Sequence, residues 1–354
     1  MTIVELNFER SWRGGEQQTL FNTQGFLQMG FEVELICRKG SALEKRALVE
    51  NITVHSFNSI LGVFFFLITK GSRFAIMHAQ GSKILTYCIL SKPFHRSKIL
   101  FTRRVNFIQS GFLTKLKYSL TDKIVAISSS VKNILSTFTS RTDIEIISDV
   151  VVENKLNKDL ANAGLKNLSI GNKHIIATIA AFTSEKNPFD TIKTIKLLKE
   201  KRNDVVFLHF GEGVLKEEAK RLIIENDLSD TYFLMGFVEN VTDYFSAFEV
   251  FVMNSNNEGL CSSVLDAFMY KVPVVSTTAG GLSDLIKEDR ATPCEMNNPM
   301  MLADKIDILL QNPNSALNKV TNAHAYVIQH HSAKQIAHQY ALLINKMTNN
   351  ASIR

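Results

Sequence analysis

Cysteine, acid in one long span, and extended apolar runs are what this 354-residue chain has little of, and each scarcity excludes something. The four cysteines, Cys37, Cys88, Cys261 and Cys294, form no C-x-x-C pair. A disulfide framework and a cysteine zinc cluster are therefore not expected, and the pattern suits a reducing compartment. His330, His331 and His338 lack a companion Asp or Glu pattern, so no metal site is expected. The run Ile60–Thr69 (ILGVFFFLIT) is too short to span a bilayer. Met1–Arg13 carries early charges and no apolar core, so it does not read as a signal peptide. These absences give the expectation of a cytoplasmic protein.

The missing acid is more informative. Between Lys70 and Lys132 the only acidic residue is Asp122, among twelve lysines and arginines, while the whole chain carries a net charge of +6. Such asymmetry points to an anionic partner. No DNA- or RNA-reading motif is present, so no nucleic acid is expected. An anionic membrane surface or glycolipid fits better, with peripheral contact aided by Phe64, Phe65 and Phe66. The alternative is a solvated basic face with those phenylalanines in the core.

What is present is an α/β pattern. Hydrophobic and charged contents of 45% and 21% are those of a globular protein, and the length allows two domains. The stretch Val250–Ile286 is the most telling. Val250–Met253 reads as a buried strand, Asn254–Asn257 as a loop, and Ser262 or Ser263 as the cap of a helix carrying Asp266. Val274-Val275 begins another strand, and Gly280-Gly281 leads to another helix. Ligands in such sheets sit at the carboxyl ends of the strands. A helix start there seats a phosphate, and flanking carboxylates such as Glu258 and Asp266 suit sugar hydroxyls. The same residues also fit an ordinary βαβ unit with solvated charges.

Along the chain, strands are expected at Thr2–Leu6, Phe31–Cys37, Ile52–His55, Ala75–His78, Lys98–Thr102, Lys123–Ser128 and Ile144–Val152. Arg10–Glu16 reads as a turn before a helix from Gln17 to Met29. Gly14-Gly15 lets backbone approach a ligand closely, although no G-x-G-x-x-G is present. Polar Glu153–Leu168 reads as a linker. His174–Ala181, Val205–Phe210 and Phe233–Phe237 open a second sheet. Helices are expected at Asp190–Glu200, Met301–Leu310 and Ser332–Met347.

Several of these segments resemble one family. Glu258, seven further residues and Asp266, within EGLCSSVLDA and followed by PVVSTTAGG, resemble the acidic motif of retaining GT-B glycosyltransferases of family 4. The branch includes bacterial lipopolysaccharide and cell-surface sugar transferases. WRGGEQQ at Trp12–Gln18 and TRRVNF at Thr102–Phe107 are similar to the same branch. There are departures. Asp266 replaces the usual Glu, Ala181 stands in place of an Arg, and His78-Ala79-Gln80-Gly81 keeps only the first His of His-x-His-Asp. His78 is accordingly read as a buried structural residue.

The resemblance implies two Rossmann-like domains with parallel sheets facing across a cleft, and a C-terminal helix crossing back. The boundaries are 1–165 for an acceptor domain, 166–330 for a donor domain and 331–354 for the crossover. It implies a retaining glycosyltransferase moving sugar from a nucleotide-sugar donor to a glycan or glycolipid acceptor, with no cofactor and no metal. Glu258 would bind donor-sugar hydroxyls, with Arg104 as a further catalytic group. Asp266 would bind the ribose, and Gly259, Leu260 and Cys261 would present backbone N–H groups. Lys186 would neutralise the diphosphate, with Gly14 and Gly15 assisting. Gly211 belongs to a G-x-G turn, and Gly236 and Phe237 would lie beside the base. Two alternatives remain at this level: a sugar-nucleotide epimerase of the same fold, and a non-catalytic binding subunit.

Overall fold

The computed structural model describes residues 1–108, 111–168 and 170–348. The chain forms two compact units, Met1–Val150 with the segment from His330 onward, and Val151–Gln329. Residues 151–165 thus lie in the second unit. Each unit is a parallel sheet flanked by helices.

The first sheet contains β1 (Thr2–Asn7), β2 (Glu32–Arg38), β3 (Thr53–Phe57), β4 (Ile76–Ala79), β5 (Lys98–Arg103), β6 (Lys123–Ala126) and β7 (Glu145–Ile146), in the order β3-β2-β1-β4-β5-β6-β7. The second contains β8 (His174–Ile179), β9 (Val205–Phe210), β10 (Tyr232–Gly236), β11 (Val250–Met253), β12 (Val274–Thr277) and β13 (Thr292–Cys294), in the order β10-β9-β8-β11-β12-β13. Central strands are covered on both faces and so are mostly apolar; all of VVFLHF in β9 is buried, His209 included. In each sheet the chain runs outward to one edge and then returns. The order reverses between β1 and β4, and again between β8 and β11. A crevice opens outside the strand ends at such points, and ligands bind there.

Three expectations need correction. The helix expected from Gln17 spans Gly14–Gln28, because Glu16 folds back to accept a hydrogen bond from the Arg13 N–H at 2.9 Å and closes the turn early. Ile144–Val152 is not one strand. Only β7 pairs with β6, while the N–H and carbonyl of Val150 are taken by the Gln18 side-chain amide at 2.7 and 2.8 Å. The expected linker contains a helix, Lys158–Leu165, capped by Asn157 and anchored on buried Ala161 and Leu165. Strand β13 and helix Leu317–His330 carry no signal strong enough to be read in advance.

The C-terminal helix Ala333–Thr348 belongs to the first unit. It lies against helix Gly14–Gln28, where a Cβ on Gly25 would come within 3.0 Å of the Ala337 Cβ. The rings of Phe26 and Tyr340 meet edge-to-face at 5.7 Å. Residues 349–354 of the expected crossover segment lie outside the described residues.

Candidate active site

In the second unit the order reversal brings the loops after β8 and β11 together. The loop after β8 ends in a turn at Ser184–Lys186, and Asn187, at φ +51°, starts helix Pro188–Lys201. The loop after β11 runs to helix Ser262–Met269. The two are joined where the Asn256 N–H donates to the Glu185 carbonyl at 2.8 Å.

Lys186 Nζ forms an ion pair with Glu258 Oε1, and the Ser255 hydroxyl donates to the same oxygen at 2.7 Å. Both of these contacts are to Oε1, and neither involves Oε2. Glu258 is 7% exposed. Burial works against the Lys186 charge, but the Glu258 carboxylate beside it outweighs this and lifts the amine above its usual range. The ion pair keeps the Lys186 ammonium charged despite its burial.

The loop floor is fixed by close packing. The Gly281 N–H donates to the Glu258 carbonyl at 2.9 Å, and a Cβ on Gly281 would fall 2.0 Å from the Gly259 carbonyl oxygen. Only glycine permits that approach. Thr277 Oγ1 donates to the Ser255 carbonyl at 2.6 Å. Ser262 and Ser263 do not cap the helix as expected. Cys261 occupies the N-cap position at φ +91°, and Ser263 instead donates to the Ile179 carbonyl at 3.2 Å, tying the helix start to β8. Burial pushes the Cys261 thiol up to about 12, so it is not a thiolate.

Asp266 lies on the second turn of this helix, half-buried. Burial raises its carboxyl to about 7, and no hydrogen bond or ion pair among the described residues holds it. Gly211 sits at φ +145° with its N–H on the Gly236 carbonyl at 2.8 Å. Phe237, just beyond, is 64% exposed. Ala181 is exposed in the loop after β8.

The residues not anticipated are supporting ones. His209 is buried, and burial takes its imidazole down to about 3. Its Nε2 lies 3.1 Å from the Ala180 carbonyl, which can only accept, so Nε2 carries the proton and Nδ1 accepts from the Tyr232 hydroxyl at 2.6 Å. Phe182 stacks on the ring at 3.9 Å. His209 thereby holds the loop that carries Lys186. Its setting in VVFLHF gives no sign of this, and Ser255 likewise lies in an unremarkable polar run.

In the first unit, Gly14 and Gly15 form the first turn of helix Gly14–Gln28. Nothing lies within 4 Å of a Cβ placed on Gly15, so its surroundings leave room for a side chain. Arg104 is turned inward, with Nε on Asp149 Oδ1 at 3.0 Å and a second bond to the Gln80 side-chain carbonyl. Asp149 is pushed up by burial, and Arg104 partly offsets this. Gln80 also donates to Glu5 Oε2 at 2.7 Å. His78 is fully buried, bonded to Glu5 Oε1 at 2.7 Å and Thr102 Oγ1 at 2.8 Å. Thr102 in turn meets the Tyr340 hydroxyl at 2.8 Å, which makes His78 a link between the sheet and the C-terminal helix.

Among the described residues no group of three or more His, Cys, Asp or Glu is placed to hold a metal ion.

Two Rossmann-like units of this kind define the GT-B architecture. The solved structure of Anabaena HepE in complex with UDP and glucose superposes with a TM-score of 0.86 at 15% identity, covering 98% of this chain and 100% of that one. The profile of the family described as glycosyl transferases group 1 matches residues 165–345, and the chain belongs to that family. Staphylococcus aureus poly(ribitol-phosphate) alpha-N-acetylglucosaminyltransferase is 28% identical over 173 residues, 48% of this chain but 35% of that enzyme. The O-antigen biosynthesis glycosyltransferase WclY of Escherichia coli is 21% identical over 290 residues, covering 78% of this chain and 80% of that one.

Proposed function

We propose that the protein is a retaining glycosyltransferase of family 4 that moves a sugar from a nucleotide-sugar donor to a glycan or glycolipid acceptor in cell-surface polysaccharide synthesis. The observation that carries this is the Lys186–Glu258 pair at the β8/β11 order reversal, a buried cation and carboxylate brought together from the loops after two different strands. A cation and a partly committed carboxylate side by side suit a diphosphate next to a hydroxylated ring. In the reaction the bond between the anomeric carbon and the diphosphate oxygen breaks, and the diphosphate leaves with the electron pair. An acceptor hydroxyl oxygen bonds to the same carbon and gives up its proton to the departing diphosphate.

Lys186 neutralises the departing diphosphate, aided by backbone N–H groups of Gly259, Leu260 and Cys261. Glu258 holds the donor-sugar hydroxyls and Asp266 the ribose. Gly236 and Phe237 flank the base, with Gly211 shaping that turn. The 1–165 region takes the acceptor and contributes Gly14, Gly15 and Arg104. Uridine is the base favoured, because HepE is solved with UDP. Surface polysaccharide is the product class favoured by the likeness to WclY and to the staphylococcal enzyme.

The test is a thermal-shift panel of nucleotide sugars followed by turnover with the donor that binds. Stabilisation by one UDP-sugar, with product formed at retained anomeric configuration, is the expected result. Donor conversion to an epimer without acceptor, or binding with no product, would overturn it.

A further inference from the structure

We propose that the helices over residues 60–70, 82–91 and 112–119 of the first unit form a docking surface for an anionic phospholipid bilayer. Helix Ile60–Lys70 buries Val63 and Leu67 yet turns Leu61 and Phe65 outward, with Phe65 64% exposed. Helix Ser82–Ser91 lies alongside, joined by the Phe64 and Tyr87 rings at 6.1 Å. It buries Ile84, Leu85 and Cys88, while Leu90 and the following Phe94 are exposed. Helix Phe112–Ser119 is tied to it through Lys117 Nζ, 2.8 Å from Ser82 Oγ. Here Phe112 and Leu113 are each 78% exposed, and Leu116 projects with them. The unit's own core is already filled by the inner residues. A helix layer that is apolar on its outer side as well needs a second apolar surface to cover it.

Charge decides what that surface is. There is no acid between Glu50 and Asp122. Asp122 itself is committed, accepting from Lys92 at 3.0 Å and from the Ile99 N–H at 2.8 Å. Exposed Lys70, Lys83 and Lys115 each sit on one of the three helices. A second copy docked about a twofold axis would set this cationic face against itself, with like charges opposed. An anionic bilayer offers opposite charge at the headgroups and apolar depth beneath, where phenylalanine and leucine insert. No helix of the described residues is long and apolar enough to cross a membrane, so the layer lies on the surface. Phe66, by contrast, packs against His55 and Phe57 and takes no part.

The proposal shares no residue with the candidate site and stands apart from the transferase reading. Co-sedimentation with vesicles of phosphatidylcholine, alone or mixed with phosphatidylglycerol, tests it. Binding is expected to the mixed vesicles only, fading as salt screens the charges. Replacing Phe112 and Leu113 by Ser should lower partitioning on the order of tenfold, and Leu61 with Phe65 by Ser similarly. Lys83→Gln and Lys115→Gln should each lower it about fivefold. All are surface changes, so melting temperature and donor-induced thermal shift should stay at wild-type values. No binding at low salt, or binding that ignores all these substitutions, overturns the proposal. A concentration-dependent dimer that Phe112→Ser/Leu113→Ser abolishes would assign the face to a second copy and overturn it equally.

Discussion

Glu258 is the residue on which the proposed chemistry turns. Its carboxylate is buried and shares one oxygen between Lys186 and Ser255. Glu258→Gln keeps the shape and the Ser255 contact but loses the charge. Transfer should fall about 10²-fold or more, because the charge-assisted bonds lost to the donor are those that strengthen in the transition state. Near-wild-type kcat with a saturating donor would remove Glu258 from the mechanism. Asp266 gives a pH signature. Its carboxyl titrates at about 7 in the folded chain against an ordinary 3.8. Between those values the folded state binds more protons than the unfolded one, so stability falls as pH rises towards 7 and levels off above it. Asp266→Asn should therefore melt higher than wild type by roughly 5 °C at pH 8 and equally at pH 3. If the ionised form accepts from the ribose, donor KM should fall as pH rises through 7 in wild type and stay flat in the variant. Parallel pH profiles would show that Asp266 touches no donor.

At the scale of elements, the strand-end loops are held by glycine sterics and by buried side chains from neighbouring strands. Two glycines separate packing from ligand approach. Gly281→Ala puts a methyl against the Gly259 carbonyl, so the loops after β11 and β12 must part. Melting temperature should drop and donor KM should rise on the order of tenfold, in keeping with a backbone displaced at a binding loop. Gly15→Ala meets nothing in the fold. Its melting temperature should match or exceed wild type, since alanine favours a helix, while turnover falls if substrate approaches that backbone. A fully active Gly15→Ala enzyme would exclude Gly15 from the site. The His209–Ala180 bond and the Phe182 stack play the matching role for the loop carrying Lys186.

At the scale of the molecule, the first unit is completed only by the chain's distant end. Ile336, Ala337, Tyr340, Ala341 and Ile344 are buried in it, and Tyr340 closes the hydrogen-bonded series Glu5–His78–Thr102. Residues 1–150 expressed alone should expose that apolar face, aggregate or lack near-ultraviolet circular dichroism, and recover on addition of a 330–348 peptide. Residues 151–329 alone should unfold cooperatively. A stable, well-packed 1–150 fragment would show that the helix is dispensable to the unit.

The order of most strands was legible because parallel strands covered on both faces must be apolar runs, as in Thr2–Leu6, Val205–Phe210 and Val250–Met253. The Glu258 loop was legible for a related reason, since its motif is local in sequence. What the sequence could not determine were features made by distant partners. Val150 leaves its strand because Gln18 takes its hydrogen bonds, Glu258 meets Lys186 from another crossover, and His209 supports a loop that lies before it in the chain, with no recognisable signal in VVFLHF. Likewise Phe65 and Phe66 are adjacent and chemically identical. Only the packing of helix Ile60–Lys70 on its sheet decides that one ring faces the interior and the other faces outward.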